Sequence, residues 1–281
     1  MFRDVAISDG SGTLYRTQVK PSGLAARNVD VWCPPGYAEH TNRRFPVLYM
    51  YDGQNLFDPA LSYTGIDWGI DEGIGRLIAA GESGGAIVVG IYNSADRVRE
   101  YMPQKVLEGS QPEAVKARAD FIKALGGPPL SDRHLEFLVT ELKPLIDEHF
   151  RTLADRDNTL IMGSSMGGLN SLYALVEQPN VFGGAGCFST HWSLGEKLMV
   201  DWMAQALPAP GAHHLYFDYG TVGIDEPYEP LQLRMDEHLE ARGFTREKDW
   251  VTRKFPGADH NEAAWRSRVD LPLRLLLTGK L

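Results

Sequence analysis

The chain has 281 residues, with 28 Lys and Arg against 37 Asp and Glu for a formal charge of −9, and 43% hydrophobic against 23% charged residues. That suits one large α/β domain or two small ones and excludes an extended disordered tail. The acidic excess, with no cluster of five or more Lys/Arg, argues against nucleic acid and polyanionic partners. No apolar run approaches the ~18 residues that span a bilayer, so no membrane partner is expected. The start Met1-Phe2-Arg3-Asp4 lacks the basic-then-apolar pattern of a secretion signal. Cys33 and Cys187 allow at most one disulfide and match neither a zinc nor a CxxC spacing, which leaves compartment open. Oligomeric state is equally unread.

Residues 28–32 read as an early strand, with Val29 and Val31 alternating against Asp30 before Pro34-Pro35-Gly36. Residues 45–51 form a stronger one, apolar at nearly every position as a strand buried on both faces must be, and end in the turn formers Asp52-Gly53-Gln54-Asn55. The spacing of Trp68, Ile70, Ile74, Leu77 and Ile78 predicts a helix over 68–80, stopped by Gly81. Residues 86–92 are the next buried strand. The segment 94–130 breaks the rhythm and reads as a lid or substrate loop. Ser131 is placed to cap an amphipathic helix to about 150, with Leu135, Leu138, Leu142, Leu145 and Ile146 inward.

Residues 159–162 form a short strand running into Gly163-Ser164-Ser165-Met166-Gly167-Gly168, followed by a helix to about 178 and Pro179. Further strands near 184–188, 215–219 and 250–255 continue the alternation. The fold class is therefore α/β, a mostly parallel central sheet with helices on both faces. One domain is expected over 1–281, with 94–130 inserted after a central strand.

Gly163-Ser164-Ser165-Met166-Gly167 matches G-x-S-x-G, which sets a serine on a sharp strand-to-helix turn where flanking side chains would collide with neighbouring elements. A serine needs a base, and the base needs an orienting acid. His260 follows the last strand and is the candidate base. His191 precedes any suitable acid, and the adjacent His213 and His214 would point to opposite sides of an extended segment. For the acid, Asp225 lies in the loop beyond the 215–219 strand, with Asp218 and Glu226 as competitors. The order Ser, Asp, His is the one found in α/β-hydrolases. The backbone N–H groups of Met166 and Gln54 are the expected oxyanion donors, with Gly53 permitting close approach. Arg99 and Tyr101 are candidates to hold an acidic or aromatic part of a substrate, and Trp192 and Phe57 are candidate pocket walls.

The motifs 49–58 (Tyr-Met-Tyr-Asp-Gly-Gln-Asn-Leu-Phe-Asp), Arg99-Glu100-Tyr101-Met102-Pro103, Gly163 to Gly168 and 257–265 together resemble the Putative esterase family over roughly residues 25–278. That family includes esterase D, feruloyl esterases, the antigen 85 mycolyltransferases and the enterobactin esterases, and similarity is greatest to its single-domain enterobactin-esterase-like branch. The resemblance implies an α/β-hydrolase fold without metal or organic cofactor, Ser165 as nucleophile, His260 as base and Asp225 as acid. It implies a serine carboxylesterase acting on a small-molecule ester. Tyr51 stands where many relatives carry His, and the siderophore substrate is not carried over. Acyl transfer to an alcohol uses the same intermediate, and a silent binding module is the reading from another class.

Overall fold

The computed structural model describes residues 1–8 and 12–280. Its strands are β1 (Arg3–Val5), β2 (Thr13–Val19), β3 (Arg27–Cys33), β4 (Val47–Tyr51), β5 (Ile87–Ile91), β6 (Thr159–Ser164), β7 (Gly184–Phe188), β8 (His214–Tyr219) and β9 (Trp250–Lys254). They form one sheet in the order β1-β2-β3-β5-β4-β6-β7-β8-β9, parallel from β5 to β9 and antiparallel from β1 to the β3–β5 pair. This is the mostly parallel α/β-hydrolase architecture expected.

Each central strand is buried on both sides because helices cover both faces, and its alternate residues enter two separate cores. Leu48, Met50, Val88, Leu160 and Met162 pack with Ile70, Ile74 and Leu77 of the helix Ile70–Ala79 and with Leu273 of the helix Asp270–Thr278. Val47, Tyr49, Tyr51, Val89 and Ile161 face the other way, against Leu135, Leu138, Leu142 and Ile146 and the helix Met166–Glu177.

One pair of strands was not anticipated and one expectation is corrected. The antiparallel strands β1 and β2 were not anticipated, because a half-solvated strand such as Thr-Leu-Tyr-Arg-Thr-Gln-Val carries little continuous apolar signal. Its Arg16 is registered opposite Asp30 and bonds it at 2.6 and 2.7 Å. Ser131 does not cap its own helix: its buried hydroxyl accepts from the Gln104 N–H at 3.0 Å, which ties that helix to the 94–130 segment. The helix then widens into a π turn over Leu138–Leu142, where Pro144 lacks the N–H that the Thr140 carbonyl would otherwise receive.

The strand order sets the place of the site. From β4 the chain crosses to β5 on one side, then returns to β6 on the other, so the carboxyl ends of β4 and β6 flank the point where the order reverses. Because β4 to β9 run parallel, the loops after β6, β7, β8 and β9 open on that same edge.

Candidate active site

Ser165 occupies the turn between β6 and the helix Met166–Glu177, at φ 56° and ψ −122°. A residue with a Cβ adopts such a φ only when its surroundings enforce it. Here they do: the Ser165 N–H bonds the Phe188 carbonyl at 2.9 Å, and its carbonyl accepts from Leu169 N at 3.0 Å and His191 N at 3.2 Å. The glycines of the motif are sterically required. A Cβ on Gly163 would lie 2.7 Å from the Gly167 carbonyl carbon, and one on Gly168 would lie 3.0 Å from the Phe188 carbonyl oxygen. Met166 is the first residue of the helix, so its N–H belongs to the amides that have no intrahelical acceptor.

His260 comes from the loop after β9. Its Nδ1 bonds Asp225 Oδ1 at 2.5 Å, and its ring meets Trp265 edge-on at 5.0 Å between centroids. Asp225 lies beyond β8 and is fully buried; its other oxygen accepts from Gly220 N and Ser189 Oγ, each at 2.6 Å. Burial works to raise the Asp225 pKa, but the hydrogen bonds from His260, Ser189 and Gly220 outweigh it and leave the carboxyl below its ordinary value. Asp218 instead accepts from Ser189 N at 3.0 Å, Arg268 at 2.9 Å and Tyr216 Oη at 3.0 Å, while Glu226 is exposed. His191 bonds Tyr228 Oη through Nδ1, and burial, with the neighbouring His260 and Arg97 charges, pushes its pKa down to about 4.

Ser165 and His260 line one cavity of about 730 Å³, together with Gln54, Asn55, Asp52, Arg97, Tyr63, Tyr92, Asn93, Glu262 and Trp265. Gln54 lies in the 3-10 turn Gly53–Asn55 after β4, and its Oε1 accepts from Asn93 N at 3.4 Å. Gly53 is required there, since a Cβ would come within 2.3 Å of the Gly90 carbonyl carbon on β5. Asp52 enters the turn at φ 56° and is gripped by Arg97 through two contacts of 2.7 Å, with Asn93 Nδ2 also at 2.7 Å.

The four expected substrate contacts lie outside this cavity. Tyr101 is fully buried with its hydroxyl accepting from Asp52 N at 3.4 Å, and Trp192 is fully buried with its indole donating to Gln232 at 2.9 Å. Phe57 packs in the core with Trp68, and Arg99 bonds the Pro128 carbonyl at 2.9 Å and Asp96 at 3.0 Å. Arg97, rather than Arg99, lines the cavity. On the short helix Arg97–Tyr101, residues two apart point to nearly opposite sides while residues four apart share a face, and Arg97 does lie over the Tyr101 ring at 5.0 Å. That helical spacing is the signal that separates 97 from 99.

Among the described residues, the oxygens of Asp67, Asp71 and Glu72 come close enough to surround a cation, but Arg266 already bonds Asp67 at 2.6 Å and Glu72 at 2.5 Å, and none of the three lines the cavity. Both cysteines are buried and free. Among the described residues no helix is long and apolar enough to cross a membrane.

A family model described as Putative esterase matches residues 25–273. An uncharacterized protein, YbbA of Bacillus subtilis strain 168, is 24% identical over 244 residues, covering 79% of this chain and 81% of its own length. Among solved structures, the ferulic acid esterase AmCE1/Fae1A of Anaeromyces mucronatus superposes with a TM-score of 0.65 at 19% identity, over 98% of this chain and 94% of that one. The siderophore hydrolase EstB of Aspergillus nidulans gives 0.64 at 18% identity, over 98% of both chains. The IroE-like serine hydrolase of Shewanella oneidensis gives 0.65 at 18%, over 94% of this chain and 79% of that one.

Proposed function

The chain belongs to the Putative esterase family and is a carboxylic ester hydrolase, and from that premise we propose that it works through an acyl-enzyme on Ser165. The observation that carries this reading is the 2.5 Å contact between Asp225 and His260, on a histidine that shares its cavity with a serine held at φ 56°. With Nδ1 held by the carboxylate, Nε2 is the nitrogen that takes the Ser165 proton as Oγ attacks the ester carbonyl. The oxyanion is received by the N–H groups of Met166 and Gln54, fixed in place before charge develops. The imidazolium then protonates the departing alcohol. Water repeats the sequence on the acyl-enzyme and frees the acid.

A small-molecule ester fits the cavity volume, which falls in the range of small-ligand sites. Ser165→Ala is expected to lower hydrolysis of p-nitrophenyl acetate by about three orders of magnitude or more, leaving what binding and the oxyanion donors supply. The untreated enzyme is expected to gain one phosphonate at Ser165 with an organophosphorus reagent. Hydrolysis at the wild-type rate by Ser165→Ala overturns the assignment.

A further inference from the structure

Behind the Asp225 carboxylate sits a hydroxyl that the mechanism above leaves unused. Ser189 follows β7, is fully buried, and holds φ 40°, a conformation that residues with a Cβ seldom adopt. Its Oγ lies 2.6 Å from Asp225 Oδ2, 3.0 Å from Trp265 Nε1 and 3.0 Å from a terminal nitrogen of Arg268. Arg268 and Trp265 are each only 4% exposed, so water does not compete freely for these contacts.

A hydroxyl has one proton and two acceptor sites. The indole N–H and the guanidinium can only donate, so together they fill both acceptor sites. A carboxylate can only accept. The Ser189 proton is thereby committed to Asp225, and the rotor has no competing orientation. Gly220 N donates to the same Oδ2 at 2.6 Å, which leaves Oδ1 to His260.

We propose that Ser189 is a positioning residue of the hydrolase site: its O–H, locked by Trp265 and Arg268, fixes the Asp225 carboxylate so that Oδ1 holds the His260 ring with Nε2 toward the cavity. This rests on the assignment of Ser165, His260 and Asp225 above. Arg268 contacts the acid's partner through this hydroxyl at 3.0 Å, and its charge is paired with Asp218 at 2.9 Å. The Ser189 backbone N–H is held separately, by Asp218 Oδ1 at 3.0 Å, so removal of the hydroxyl leaves that anchor of the loop in place.

The test compares Ser189→Ala, Ser189→Gly, Asp225→Asn and the Ser189→Ala/Asp225→Asn double variant by kcat, KM and the pH profile of kcat/KM. Glycine accepts φ 40° without strain and keeps the test open if alanine folds poorly. Both single Ser189 variants are expected to lose about tenfold or more in kcat with KM unchanged, the size of a lost hydrogen bond to a charged group. Their acid limb should move to higher pH, because a carboxylate relieved of a donor stabilises the imidazolium more strongly. In the Asp225→Asn background the serine change should add little further loss. Wild-type kcat with an unmoved acid limb overturns the proposal, as does a loss that simply multiplies that of Asp225→Asn. Wild-type activity in Asp225→Asn itself would instead remove the triad reading, an outcome distinct from failure of Ser189 alone.

Discussion

Arg97 and Asp52 meet through two parallel contacts of 2.7 Å at the wall of the cavity that holds Ser165. Asp52 is the residue at φ 56° that swings the chain from β4 into the Gln54 turn, so the guanidinium fork from the 94–130 segment braces one proposed oxyanion donor. Lysine retains the charge but cannot reproduce two parallel contacts. Arg97→Lys is expected to lower kcat about tenfold with little change in KM, because an oxyanion donor acts on the transition state rather than on the bound ester. Thermal unfolding should shift little, since a partly exposed ion pair contributes modestly. An unchanged kcat would show that the turn holds itself without the fork.

Two buried carboxylates lie one network apart, and their partners separate their roles. Asp225 receives His260, whereas Asp218 receives Arg268, Tyr216 and the Ser189 backbone. Asp225→Asn is expected to reduce kcat by roughly four orders of magnitude while the fold persists, because the amide favours the wrong imidazole tautomer. Asp218→Asn leaves the Arg268 charge buried without its counter-ion and should cost about 3–5 kcal/mol of stability. Urea unfolding and steady-state kinetics on both variants check the division, and equal kinetic losses with equal stability would refute it.

The fold was legible wherever a segment is buried on both faces. Residues 184–188 agree in both bounds with β7, β4, β6, β8 and β9 differ by one or two residues at one end, and β5 differs by one at each, because continuous apolar runs leave little choice of face. β1 and β2 were not legible, since Arg16 and Gln18 of β2 are satisfied by a partner strand and solvent rather than by a core. In the candidate site, Ser165 stands out because neighbouring glycines are sterically dictated, and chain order restricts the partners from β8 and β9. Ser189 carries no local signature at all: its importance comes from Trp265 and Arg268, which lie 76 and 79 residues away in sequence. Large aromatics misled for a related reason. Trp192 and Phe57 look like pocket walls in a sequence but fill core volume, which is the commoner fate of such side chains.

His134 packs against Tyr51, and it links pH to stability. Its ring is enclosed by Tyr51, Tyr101 and Phe137, with centroids 5.6, 5.7 and 6.0 Å away, and both ring nitrogens are buried without a hydrogen-bond partner. Burial, reinforced by the charge of Arg27 and opposed by Glu100 and Asp52, pushes its pKa down to about 4 from the ordinary 6.5. The fold therefore favours the neutral ring. The stability this supplies is fully present above the unfolded pKa and is lost as pH falls from 6.5 toward 4, because the unfolded chain binds the proton first. The size over that window is about 3 kcal/mol. His134→Leu removes the group, so the stability of the variant relative to wild type should improve by about that amount between pH 7 and pH 4. Urea unfolding of both proteins across that range measures the difference, and parallel stability curves would show that protonation of His134 is not coupled to unfolding.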